Sequence, residues 1–138
     1  MAKILVVEDE QSLERIFTLN LARRGHSVAE AGSVADAEAL IMAADPPFDL
    51  VLLDINLPDR PGWDLLRDWH ARVQRQNRPP PRVIIVTAVR PTPERIQMFA
   101  PDAVLVKPFP IDVLLRLIDR VLNATQPEVS ALTEDLYG

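Results

Sequence analysis

Four short apolar runs in this 138-residue chain lead into side chains able to do chemistry. Ile4-Leu5-Val6-Val7 runs into Glu8 and Asp9, the run from Phe48 to Leu53 into Asp54, Val83-Ile84-Ile85-Val86 into Thr87, and Ala103-Val104-Leu105-Val106 into Lys107. If the runs are parallel strands of one sheet, these side chains gather beyond its carboxyl edge, where open α/β sheets bind ligands. Three carboxylates held close together repel, which pushes at least one proton affinity upward unless a cation intervenes. Hard oxygen donors without His or Cys favour Mg2+, with Mn2+ and Ca2+ as alternatives. The charge of −3 on Glu8, Asp9 and Asp54 is balanced by Mg2+ and the Lys107 ammonium together. Such a set suits phosphoryl transfer to a carboxylate. An aspartate attacks in line, metal and ammonium neutralise the phosphoryl oxygens, and the Thr87 hydroxyl donates to one of them. Taken singly, each residue has an ordinary structural explanation: Glu-Asp as a helix cap, Lys-Pro as a turn, Thr as a strand end. Their joint position at one rim favours the chemical reading.

The elements that must position these residues alternate regularly. Leu13, Ile16, Phe17, Asn20 and Leu21 follow helical spacing up to Arg23-Arg24-Gly25, where cations and glycine mark a helix end. Ser27 to Ala31 is a short strand that ends without chemistry, which suits a sheet edge. Ser33 with Asp36 resembles an N-cap, and Val34, Ala37, Leu40 and Ile41 give the buried stripe of a second helix, which Pro46-Pro47 ends. A third helix carries Trp63, Leu66, Trp69, His70 and Val73. A fourth starts from the Thr92 cap with Pro93 in the first helical position and runs to about Phe99. Ile111, Leu114, Leu115, Ile118, Val121 and Leu122 mark the last helix. The order is β-α five times. Continuous rather than alternating apolar strands predict a parallel sheet covered on both faces, with right-handed crossovers.

Composition narrows the classes. The length fits one domain, residues 1–123, with 124–138 as a C-terminal tail or linker in which Val129, Leu132 and Leu136 have loose helical spacing. The absence of cysteine removes disulfides, thiolate zinc sites and cysteine nucleophiles, and neither His26 nor His70 sits in an HExxH-like arrangement. The N-terminus is neither a signal peptide nor a membrane span, so a soluble cytoplasmic location without membrane contact is expected. Residues 1–69 hold 13 acids against 6 bases, and residues 70–138 hold 7 against 9. The basic stretch Arg72, Arg75, Arg78 and Arg82 surrounds Pro79-Pro80-Pro81. It has no aromatic interleaving, so it is expected to be a helix end and solvated loop rather than a nucleic-acid surface. All but two of the 15 basic residues are arginine. Lys3 is an exchangeable strand-start residue, whereas Lys107 stands where a compact ammonium serves better than a planar guanidinium.

Together these residues resemble a response regulator receiver domain, the phospho-acceptor module of two-component phosphorelay signalling, over about residues 3–123. The marks are Glu8-Asp9 after ILVV, LVLLD with Asp54, then Asn56-Leu57-Pro58 and Gly62, Thr87-Ala88, and Lys107-Pro108-Phe109. The resemblance implies a flavodoxin-like (βα)5 fold with sheet order 2-1-3-4-5. It implies phosphorylation of Asp54 by a sensor histidine kinase or histidine phosphotransfer protein, without turnover as an enzyme. Asp9, Asp54 and the backbone carbonyl of Asn56 would hold Mg2+, Glu8 would act on it through water, Thr87 and Lys107 would hold the phosphoryl group, and the peptide before Pro108 would be cis.

Two departures stand out. Val104 occupies the position, three residues before the lysine, where the family has an aromatic ring that turns inward with the threonine. The segment from Thr87 to Lys107 is short and carries Pro91, Pro93 and Pro101. It includes helix 4 and strand 5, part of the face (helix 4, strand 5, helix 5) that would meet an unknown downstream protein or a second copy. The leading expectation is a stand-alone receiver that signals by a population shift. A second is a receiver-shaped adaptor that is not phosphorylated. A third, a haloacid-dehalogenase-type phosphatase, needs a second acid where Asn56 stands. Flavin binding is disfavoured by the acidic rim loops.

Overall fold

The computed structural model describes residues 1–76 and 80–124, so Arg78, Pro79 and the tail from 125 onward lie outside the described residues. Five strands, β1 Lys3–Val7, β2 Ser27–Ala31, β3 Leu50–Leu53, β4 Arg82–Thr87 and β5 Ala103–Val106, alternate with five helices. These are α1 Gln11–Arg23, α2 Val34–Ala43, α3 Gly62–Gln76, α4 Pro93–Phe99 and α5 Ile111–Asn123. The sheet is parallel with order β2-β1-β3-β4-β5, as expected.

Alternate strand residues feed two cores. Leu5, Val7, Val51, Leu53, Val83, Ile85 and Val104 pack with Trp63, Leu66 and Trp69 of α3, Val34 and Ala37 of α2, and Phe99 of α4. Ile4, Val6, Leu50, Leu52, Ile84, Val86 and Leu105 pack with Phe17 and Leu21 of α1 and with Leu114, Leu117, Ile118 and Val121 of α5. Strands buried on both sides have no need of a polar face, and that is why their runs are continuous in sequence.

The helix signals act locally as read. The Ser33 hydroxyl accepts from the Asp36 N–H at 3.1 Å, and the Thr92 hydroxyl accepts from the Arg95 N–H at 3.3 Å. α4 ends at Ala100, whose φ of +46° is left-handed and whose N–H donates to the Ile96 carbonyl at 2.8 Å. The peptides before Pro108 and Pro46 are cis. Among the described residues no helix is long and apolar enough to cross a membrane.

One boundary and one helix face differ from expectation. β3 begins at Leu50 rather than Phe48; the Asp49 carboxylate accepts the Lys3 N–H at 2.8 Å and Phe48 lies under the Lys3 ammonium. Ile16 of α1 is 46% exposed, so the stripe against the sheet is narrower than its apolar spacing suggests.

Candidate functional site

The strand register assembles the rim. Val7 pairs with Leu53, and one step on the Asp54 N–H donates to the Val7 carbonyl at 3.0 Å, so Glu8 and Asp54 leave the sheet side by side. On β1's other side the Glu8 N–H donates to the Ala31 carbonyl at 2.9 Å. Thr87 pairs with Val106, and the Lys107 N–H donates to the Thr87 carbonyl at 2.8 Å. Hydrogen bonds thus hold the ends of β1, β3, β4 and β5 in one row, and this brings together residues as much as 99 positions apart.

Glu8 is 2% exposed, Asp54 5% and Thr87 2%, whereas Asp9 is exposed to solvent. The Lys107 ammonium bridges the buried pair, donating to Glu8 Oε1 at 2.8 Å and to Asp54 Oδ2 at 3.2 Å. The other Asp54 oxygen, Oδ1, accepts the Asn56 N–H at 3.0 Å, which turns the loop after β3 back over the acid. The Thr87 hydroxyl accepts the Val89 N–H at 3.3 Å.

Electrostatics single out Glu8. Burial, with the Asp54 charge adding to it, pushes its carboxyl from 4.5 up to about 7, although the Lys107 hydrogen bond pulls the other way. Burial alone would lower the Lys107 ammonium, but its bonds and charges with Glu8 and Asp54 outweigh this and hold it above its usual value. One ammonium does not relieve three acids. One carboxylate oxygen each from Glu8, Asp9 and Asp54 lies within 4.8 Å of the others, a hard all-oxygen donor set that fits Mg2+.

Three supports have physical roles that only the structure shows. A Cβ on Gly62 would stand 2.6 Å from the Asp54 carbonyl oxygen, so a side chain there would force α3 away from the acid-bearing strand. Asp59 caps α2, accepting the Val34 and Ala35 N–H groups at 2.9 Å each, and these bonds hold its carboxyl below the usual carboxylate range. Arg60, next to it, pairs with Glu38 at 2.8 Å and Asp68 at 3.4 Å, so the β3–α3 loop is tied to both flanking helices. An aspartate directly before an arginine in a proline-bounded loop was the available signal. Val104 is 2% exposed in the core that also holds Trp63 and Phe99, whose rings stack with centroids 5.1 Å apart. The aromatic surface near β5 therefore comes from α3 and α4.

Residues 4–119 match the response regulator receiver domain. The response regulator ArlR of Staphylococcus epidermidis is 34% identical over an alignment that covers all of this chain and 59% of that protein. The chain thus spans less than two thirds of that relative's length. Among solved structures, the non-phosphorylated HemR receiver domain from Leptospira biflexa has a TM-score of 0.77 at 28% identity, covering 93% of this chain and 99% of that one. A CheY-like receiver domain protein from Methanospirillum hungatei has a TM-score of 0.75 at 28% identity, covering 89% and 94%.

Proposed function

The chain belongs to the response regulator receiver family, and from that premise we propose that Asp54 accepts a phosphoryl group from a sensor histidine kinase or a histidine phosphotransfer protein. The domain doing so comprises residues 1–123, acts in the cytoplasm, and signals by conformation rather than by catalytic turnover. The observation that carries this reading is the Lys107 ammonium set between Glu8 and Asp54 within a group of three carboxylates at the strand ends.

Glu8, Asp9 and Asp54, with the Asn56 carbonyl, are the residues that would hold Mg2+. The ion supplies charge neutralisation for the phosphoryl oxygens. An Asp54 carboxylate oxygen forms the new P–O bond as the P–N bond of a phosphohistidine donor breaks and the imidazole departs. The Asn56 N–H holds Oδ1 and so orients the nucleophile. Lys107 exchanges its Asp54 contact for a phosphoryl oxygen, and the Thr87 hydroxyl turns to donate to another. Membership of this family leaves the phosphatase reading without support.

Intact mass after incubation with acetyl phosphate and Mg2+ tests the assignment. One phosphoryl adduct is expected, and none in Asp54→Asn. An adduct that persists in the variant overturns it. The adaptor reading draws on the aliphatic Val104 in place of a mobile ring and on the short, proline-rich segment that holds α4. Beryllofluoride with Mg2+ separates the two. Amide NMR changes across α4, β5 and α5, where Met98 is 71% exposed, favour a switch that presents this face to a downstream protein or second copy. Unchanged signals there favour the adaptor.

A further inference from the structure

At the opposite end of the same strands lies a cavity of about 800 Å3 between α2, α3 and the amino ends of β3 and β4. Its apolar lining includes Ile41, Phe48, Trp69 and Val73. Its charged lining is Arg72 and Arg75 from the last turns of α3, Arg82 from the start of β4, and a single acid, Asp49. Three arginines against one acid leave the described lining formally positive by two charges, and the Asp49 carboxylate is already engaged by the Lys3 N–H.

Among the described residues none of these three arginines has a carboxylate within 4.0 Å, whereas Arg24, Arg60, Arg67 and Arg116 all do. Arg82 feels the charge of Asp102, yet among the described residues its buried Nη1 has no hydrogen-bond partner. A buried guanidinium nitrogen left unpaired is costly, and native proteins seldom leave one without a role. The C-terminal end of α3 favours cations, which accounts for Arg72 and Arg75 as helix residues; it does not account for the unpartnered nitrogen of Arg82.

We propose that this cavity binds a small organic anion: an apolar ring that fills the space beside Phe48 and Trp69, bearing a carboxylate or phosphate held by Arg72, Arg75 and Arg82. Its volume is that of small-molecule sites, which pair an apolar lining with a few convergent polar groups. Guanidinium forks match the planar oxygens of carboxylates and phosphates. Nothing in this site depends on phosphorylation of Asp54.

Amide NMR of the full chain without Mg2+ tests it, using naphthyl phosphate and naphthalene carboxylate as probes for the two anion types. Either probe should move the signals of Asp49, Val73, Arg82 and the Trp69 indole and leave those of Asp9, Asn56 and Lys107 in place. Binding by only one of them assigns the anion type. Neutral naphthalene carboxamide and inorganic phosphate should each bind at least about tenfold more weakly. Arg82→Gln should weaken the better probe by about tenfold. Arg75→Gln, at an exposed helix position that folding tolerates, should weaken it several-fold. Shifts confined to the rim overturn the proposal, as do no shifts, equal binding of the neutral amide, equal binding of bare phosphate, or full affinity in Arg75→Gln.

Discussion

The two ends of the central strands carry opposite charges, and the charges are held in different ways. At the carboxyl ends Glu8 and Asp54 are buried, locked into the sheet by backbone hydrogen bonds and bridged by Lys107. At the amino ends Arg72, Arg75 and Arg82 line a cavity and, among the described residues, pair with no carboxylate. α3 runs between these ends. Its N-terminal Gly62 abuts the Asp54 backbone, so the positive end of its dipole lies toward the acids and the negative end toward the arginines. The rim charges are therefore tied into the fold by ion pairs, which the basal arginines lack among the described residues.

Removing Lys107 should strain that contrast most. Lys107→Met strands two buried acids, and metal-free stability in urea should fall by about 2–3 kcal/mol at about pH 8. The loss should shrink at about pH 5, where Glu8 holds its proton in the folded protein. Equal losses at both pH values would uncouple Lys107 from the acid pair.

A second effect comes from Glu8 alone. Its carboxyl titrates at about 7 folded against 4.5 unfolded, so between those values the folded state holds a proton that the unfolded state has released. Metal-free stability should then fall by up to about 3 kcal/mol as pH rises through this window and level off above it. Saturating Mg2+ should flatten the slope, because a cation takes the place of that proton.

Gly62→Ala should cost between about 1 and 2 kcal/mol and slow adduct formation on Asp54, since the neighbour its Cβ meets is backbone and cannot rotate aside. A normal melting curve with normal phosphorylation would show that α3 yields freely. Smallest of all, Arg75→Gln at the basal end should change stability by less than about 0.5 kcal/mol. A larger loss would mean that the basal arginines also hold the fold.

Much of this architecture was legible along the chain. All ten elements follow from strand-like runs, helical stripes and caps, and the Ser33 and Thr92 caps form the bonds that their spacing predicts. Phe48 precedes β3 although it is buried, because apolarity reports burial rather than ladder pairing. The rim residues were legible because each directly follows a strand, and a parallel sheet collects strand ends. Asp59, the reason for Gly62 and the basal cavity were not. Asp59 acts on an N-terminus 25 positions away, and the constraint on Gly62 comes from an oxygen that reaches it only after α3 folds back. Arg72, Arg75 and Arg82 look in sequence like a helix end and a solvated loop, a setting that sequence cannot tell from a cavity wall.

By itself, the sequence determined which side chains end which strand, and with that the hard-oxygen chemistry of the rim, because residue type and strand position are local properties. Only the tertiary structure decided that Glu8 is the buried acid and Asp9 the exposed one, that Lys107 reaches Glu8 more closely than Asp54, and that an arginine nitrogen below the sheet has no partner among the described residues. Those facts depend on burial and on distances across the sheet, which strand order and helix packing set and which spacing along the chain does not encode.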